Sequence, residues 1–222
     1  MPVEGPVCDR REASFHLIET MRRDPSAGFI RLELHMARLE NSALTLGFDF
    51  DARSIDAALA ALPPATAPQR VRLLYHRDGS ASAEAFPFTA IAEGTTWQLR
   101  VARQKLNSTD RLLRHKTSRR TAYESARSEF APLDADEVLI SNEKGEICEG
   151  TITTLFADMG RGVLATPALR CGLLAGVLRA QLLADGRAQE AILTLDDLAQ
   201  ARRLFVGNSL RGLIPATLTP PL

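Results

Sequence analysis

Residues 143–156 read EKGEICEGTITTLF, and the folding of this stretch decides how the second half of the chain is built. NEKGE (142–146) has the composition of a tight turn, so the apolar segments on either side, Glu137–Ser141 and Ile147–Phe156, are expected as strands around it. Glu149 breaks the apolar alternation of the second segment. A carboxylate between Cys148 and Gly150 is costly to bury unless a partner compensates it. Two readings follow: a strand-edge glutamate facing water, or a buried carboxylate paired with a protonated ring nitrogen.

Working outward, KLNSTDRLLRHKTSRR (105–120) is polar, charged and poorly periodic, as expected of a crossing between two lobes. TAYESARSEFA (121–131) then reads as a helix. Upstream, FHLIETMR (15–22) reads as a strand, and Leu32, Met36, Leu39, Ala43 and Leu46 mark one face of a helix that Gly47 closes. Ser54 is the expected cap of a second helix, running through Ala61 to the break at Leu62-Pro63-Pro64. VRLLYH (71–76), RDGS (77–80) and SAEAFPF (82–88) form a hairpin pattern, because Asp-Gly tolerates the positive φ of tight turns, and WQLRVA (97–102) is a further strand. Downstream come a strand at GVLAT (162–166), helices at Leu173–Ala184 and Asp196–Arg203, and a strand RLFVGN (203–208) running into a loop. The first dozen residues read as a loose leader. The expected architecture is α+β in two lobes, a small N-terminal lobe over 1–104 and a larger one over 105–222.

With 27 acidic and 27 basic side chains the formal charge is zero, which argues against a dedicated binder of nucleic acid or of an anionic membrane. No apolar run approaches the roughly 20 residues that span a bilayer, and Glu4, Asp9, Arg10, Arg11 and Glu12 lack the order of a secretion signal. A cytoplasmic protein is expected. Cys8, Cys148 and Cys171 are far apart with no CxxC pair, so neither a disulfide framework nor a metal site is expected.

Only Lys105, Lys116 and Lys144 are lysines; the remaining basic residues are arginines. Lys144 lies in the turn, where a solubilising charge is the ordinary reading, and Lys105 lies in the crossing segment. Lys116 sits among Arg114, Arg119 and Arg120, whose charges would depress its pKa as a Schiff-base lysine requires. A solvated basic face is the plain alternative. GLLAGVLRAQLL (172–183) places Gly176 at the start of a helix, where free N–H groups bind phosphate, although glycine-led helices are common. Arg38, in HMARL (35–39), either snorkels at the surface or clamps an anion at the lobe interface.

In combination, FHLIETMR, HMARL, HKTSRR with Tyr123, ADEVLISNEKGEICEGTITTLF, GLLAGVLR and VGNSLRGLIP resemble the fold-type IV pyridoxal-phosphate enzymes, in that family's order from about residue 15 to 216. The family includes branched-chain and D-amino-acid aminotransferases and 4-amino-4-deoxychorismate lyase. HKTSRRTAY and GNSLRGLIP look most like the lyase branch. The resemblance implies pyridoxal 5'-phosphate as cofactor, with Lys116 bonded to it and acting as base and acid, and Glu149 on the pyridine nitrogen. Arg38, Gly176 and Val177 would take the phosphate, with Asn208 and Ser209 nearby. Arg120, Tyr123 and Arg211 would line the substrate pocket, and Thr20 would relay a proton to the leaving enolpyruvyl group. A small-molecule substrate, a homodimer and a functional link to aminodeoxychorismate synthase are implied too.

Three features depart from the family pattern: a short segment before the ETM strand, Thr154 where asparagine is usual, and Leu178 where threonine usually heads the phosphate helix. The first suggests a trimmed small lobe or a relative of fused-domain proteins. The expected function is the lyase, the alternative a class IV aminotransferase for branched-chain or D-amino acids, and the third reading a non-enzymatic remnant of the fold.

Overall fold

A computed structural model describes residues 15–219; the leader expected over the first dozen residues lies outside them. The small lobe runs through strand β1 (Leu17–Asp24), the two-residue β2 (Gly28–Phe29), helices α1 (Leu32–Leu46) and α2 (Ala52–Ala60), and the hairpin β3 (Gln69–Tyr75) and β4 (Ala81–Pro87). The strands form an antiparallel sheet in the order β2-β1-β3-β4. Alternation sets its two faces. Leu17 and Met21 on β1, with Val71, Leu73 and Tyr75 on β3, pack under Leu39, Ala43, Ile55 and Leu59 of the helices. Thr20 and Arg22 point the other way, opposite Arg72 and Arg70. Asp51, not Ser54, caps α2 by accepting the Arg53 N–H; the Ser54 hydroxyl instead donates to the carbonyls of Asp51 and Gly79.

The remaining elements are β5 (Trp97–Leu106), α3 (Thr121–Ser128), β6 (Glu137–Asn142), β7 (Ile147–Gly150), β8 (Thr154–Asp158), β9 (Leu164–Pro167), α4 (Val177–Ala184), β10 (Ala188–Ala191), α5 (Leu195–Gln200), β11 (Arg203–Asn208) and β12 (Gly212–Leu218). Their strands make one mixed sheet, β10-β9-β8-β11-β12-β5-β6-β7. Strand β5 pairs in parallel with both β6 and β12. Residues 97–104, expected in the N-terminal lobe, therefore belong with the large sheet, and the change of sheet falls between β4 and β5. Residues 105–120 hold the end of β5 and a single 3-10 turn at Arg111–Arg114.

The run 147–156, expected as one strand, breaks into β7 and β8. Glu137 causes the break: its buried carboxylate accepts from the backbone N–H of Val138, Thr151 and Ile152 and from the hydroxyls of Thr151 and Thr153. The chain at 151–153 is bent around it, and a Cβ at Gly150 would lie 2.7 Å from that carboxylate. Helix α4 starts at Val177 rather than Leu173, after a 3-10 turn at Leu169–Cys171. Helix α5 ends at Gln200, since Arg203 already pairs with Asp158. Strands β10 and β12 were not foreseen. AQEA has little strand character, and Pro215 reads as a breaker. It is tolerated in β12 because the parallel partner β5 joins only from Ala216 onward.

Candidate active site

All eleven residues singled out in the sequence line one cavity of about 380 Å³, bounded by β1, α1 and β3 on one side and by the large lobe on the other. Lys116 is presented to it by a seam between the lobes. Its carbonyl accepts the Ile18 N–H at 2.8 Å, the Ser118 N–H bonds His16 O at 3.0 Å, and Leu17 and Thr117 form a β-bridge. The strand carrying Thr20 and the segment carrying Lys116 are thus one structural unit.

The Lys116 amine is held down to about 8, first by burial, then by the charges of Arg38 and Arg120, against the pull of Glu19 and Glu149. Burial, not the crowd of neighbouring arginines, is the main cause; Arg114 and Arg119 are not among its causes. The other lysines are engaged elsewhere. Lys105 Nζ donates to Ser141 Oγ, and Lys144 stands in the β6–β7 turn, 3.9 Å from Glu143.

Glu149, on β7, is buried rather than at a wet edge (4% exposed). Burial pushes its carboxyl up to about 7, although the Tyr123 hydroxyl (2.7 Å), the Leu174 N–H (3.0 Å) and the charges of Lys116 and Arg120 favour the anion. Both bonds are received by Oε1, leaving Oε2 for a cation in the cavity. Arg120 lies 4.9 Å over the Tyr123 ring and donates to Thr151 O at 2.6 Å, which fixes both against the bend.

At the opposite end, the first turn of α4 has no side-chain cap, so the N–H groups of Val177 and Leu178 remain for an anion. Gly176 is required there, because a Cβ would come 2.7 Å from Thr154 Oγ1. Leu178 itself is core, packed with Phe156, Leu182 and Ala188. Arg38 is aimed at this end by a fork on Glu19 (2.8 and 2.5 Å) and a bond to Ala175 O at 3.1 Å. Burial alone would raise Glu19, but Arg38 and His35 outweigh it and hold the carboxyl down to about 2. His35 continues the chain: Nδ1 lies 2.6 Å from Glu19 Oε2 and Nε2 lies 2.8 Å from Ser209 Oγ.

Asn208 lines the cavity, but its amide is committed to structure. Oδ1 accepts the N–H groups of Leu210 and Arg211, and Nδ2 donates to Ile152 O, so its part is to shape the turn. Thr20 and Arg211 face the cavity as expected. Glu19, His35, Arg70 and Glu137 were missed. Glu19 and His35 stood inside quoted segments, one in ETM and one three residues before Arg38, and their burial was the missing signal. Among the described residues no group of three or more His, Cys, Asp or Glu is placed to hold a metal, and no helix is long and apolar enough to cross a membrane.

The profile of the amino-transferase class IV family matches residues 16–218. A candidate amino-acid aminotransferase of Mesorhizobium loti is 57% identical, with a TM-score of 0.90 over 92% of this chain and 100% of its own. The 4-amino-4-deoxychorismate lyase of Pseudomonas aeruginosa is 26% identical, with a TM-score of 0.80 over 98% of this chain and 88% of its own. A candidate aminodeoxychorismate lyase of Schizosaccharomyces pombe is 28% identical over 195 residues, 84% of this chain and 83% of that protein. A match that spans both lobes and every element lining the cavity leaves one conclusion: the chain belongs to the class IV aminotransferase family, a family of pyridoxal-phosphate enzymes.

Proposed function

We propose that this protein is a 4-amino-4-deoxychorismate lyase, releasing pyruvate and leaving 4-aminobenzoate. The observation that carries the reading is a half-buried lysine amine, poised near neutrality, sharing a cavity with a buried carboxylate and an unusual number of guanidinium groups. The residues fit pyridoxal phosphate. Lys116 would hold its aldehyde carbon, Oε2 of Glu149 its ring nitrogen, and the uncapped turn at Gly176 and Val177, with Arg38 and Ser209, its phosphate. When bound, that group supplies an electron sink for a carbanion at the substrate's amine-bearing carbon.

The chain's own groups do the rest. An amine with a pKa of about 8 is largely poised to accept and return a proton around neutral pH, so Lys116 is the base for the amine-bearing carbon. Tyr123 and the Leu174 N–H orient Glu149. The Thr20 hydroxyl, on the strand bonded to the Lys116 segment, donates the proton that the departing enolpyruvyl group needs. Arg120 and Arg211 hold substrate carboxylates. A homodimer is part of the same proposal.

A class IV aminotransferase is the second reading, favoured by the 57% identity to the Mesorhizobium loti protein. Incubation with aminodeoxychorismate and no keto acid separates the two. The lyase releases pyruvate and 4-aminobenzoate in equal amounts over many turnovers; strict dependence on an added keto acid would overturn the lyase.

A further inference from the structure

The proposed chemistry leaves His35 without a task. Its ring, on α1, is buried between two other buried groups, Glu19 of β1 and Ser209 of the β11–β12 turn. Nδ1 lies 2.6 Å from Glu19 Oε2, and Nε2 lies 2.8 Å from Ser209 Oγ. Glu19 is an anion, since it also receives the Arg38 fork, and Arg38 and His35 together hold its carboxyl down to about 2. A carboxylate only accepts, so Nδ1 carries a hydrogen. What Nε2 carries depends on Ser209.

A serine hydroxyl has one hydrogen to give. In ligand-free protein it goes to Nε2 and the ring is neutral, because Arg38 already balances Glu19 and an imidazolium would add a buried cation without an acid. An anion changes the count. Ser209 lines the cavity with Arg38, Gly176 and Val177, and Arg31 holds its turn against α4 by bonding both Gln181 and Ser209 O. Phosphate oxygens accept, so Ser209 can bond them only by turning its hydrogen away from the ring. Two lone pairs would then face each other across 2.8 Å unless Nε2 gains a hydrogen. The charged groups facing the ring and its hydroxyl partner are Glu19 from β1, Arg38 from α1, Arg31 ahead of α1, and Lys116, whose amine Glu19 and Arg38 influence across the cavity. With a protonated ring the cations outnumber that single carboxylate, an excess that a bound phosphate dianion relieves.

We propose that His35 is a positioning residue that takes up one proton from solvent when an anion binds at Ser209, turning the serine from a donor to the ring into a donor to the anion. This deepens the proposed function and rests on its placement of the cofactor's phosphate at Ser209 and Arg38; what it adds is a proton tied to that binding.

Pyridoxal and pyridoxal phosphate share the bond to Lys116 and the contact with Glu149, so the titrations of those two groups cancel in the ratio of their affinities. Both ligands are titrated by visible absorbance from about pH 7.5 to 9.5, where free phosphate, with its second pKa near about 6, stays dianionic. In wild type the preference for the phosphorylated ligand falls by up to about tenfold per pH unit, as uptake of one proton requires. In His35→Gln and in Ser209→Ala it stays level across that range. Nitrogen NMR of the His35 ring in wild type at about pH 8, where an imidazole in water is neutral, reads the same event directly: Nε2 is bare in ligand-free protein and with pyridoxal, and protonated with pyridoxal phosphate. A level preference in wild type, a slope that survives Ser209→Ala, or a bare Nε2 under bound pyridoxal phosphate overturns the relay. Absence of the visible band with both ligands overturns the cofactor reading and the relay together, whereas a band with Nε2 bare overturns the relay alone.

Discussion

In the proposed function Lys116 carries the chemistry because of where its side chain ends, in the cavity, not because of the basic stretch it belongs to. Lys105 spends its amine on Ser141, and Lys144 stays in a solvent-facing turn, so no other lysine is positioned to replace it. Lys116→Ala should therefore abolish the visible absorbance of bound cofactor and lower turnover at least about a hundredfold, measured by spectrum and by pyruvate release. A variant that keeps both would remove Lys116 from its role. Tyr123 tests the second group. Its hydroxyl lowers the Glu149 carboxyl, which burial already lifts to about 7, so Tyr123→Phe raises it further, by up to about one unit for one lost hydrogen bond. Cofactor uptake by ligand-free protein needs the anion. Its acid limb should move to higher pH in Tyr123→Phe, and an unmoved limb would show that the hydroxyl does not control the carboxylate.

Two short elements convert these side chains into a site, the bend at 151–153 and the first turn of α4. Gly176→Ala places a methyl 2.7 Å from Thr154 Oγ1. Overpacking of this kind costs about 1–3 kcal/mol, and here part of it should appear as a weaker hold on the phosphate. A cofactor dissociation constant raised about tenfold is expected in equilibrium dialysis, and recovery in Gly176→Ala combined with Thr154→Ser would not occur, because serine keeps the oxygen, whereas Thr154→Ala should relieve the contact. How far such elements were legible follows from the range of their causes. Helix α1 and the β3–β4 hairpin depend on neighbours in sequence, and the periodicity and the Asp-Gly turn located them. Glu149 and Lys116 stood out as a carboxylate in an apolar run and as one of only three lysines. The bend was invisible because its organiser, Glu137, lies at the head of another strand. The chain from Glu19 through His35 ends at Ser209, 174 residues beyond His35, and only the docking of the lobes creates it. Strand β12 was hidden by a proline whose missing N–H matters only once its parallel partner is known.

At the scale of the molecule the cavity is the seam. The lobes are tied around it by β1 against the Lys116 segment, by Ser42 to His115 at 2.9 Å, and by Arg31, which bonds Gln181 and Ser209 O from the left-handed backbone conformation (φ 60°). Buried charges placed at such a seam weigh on the stability of the whole ligand-free fold, and each carries its own sign. Glu19 is lowered from 4.5 to about 2, so its contribution is present above 4.5 and is lost as pH falls through 2. Glu149 is raised from 4.5 to about 7, so its contribution is present below 4.5 and is lost as pH rises through 7. Lys116 is lowered from 10.5 to about 8, so its contribution is present above 10.5 and is lost as pH falls through 8. The two active-site losses meet between pH 7 and 8, where both groups are charged in their buried places. At about 1.4 kcal/mol per pKa unit each amounts to about 3 kcal/mol, a large share of a typical domain's stability. Calorimetry of ligand-free protein from about pH 5 to 9 should show a trough in melting temperature near pH 7–8, and Lys116→Met with Glu149→Gln should remove it. Saturating pyridoxal phosphate should fill the trough in wild type, since it gives both charges a partner and adds about 2.7 kcal/mol at a hundredfold excess over its dissociation constant. Parallel curves for wild type and the double variant would mean that these two charges are not what the seam holds in tension.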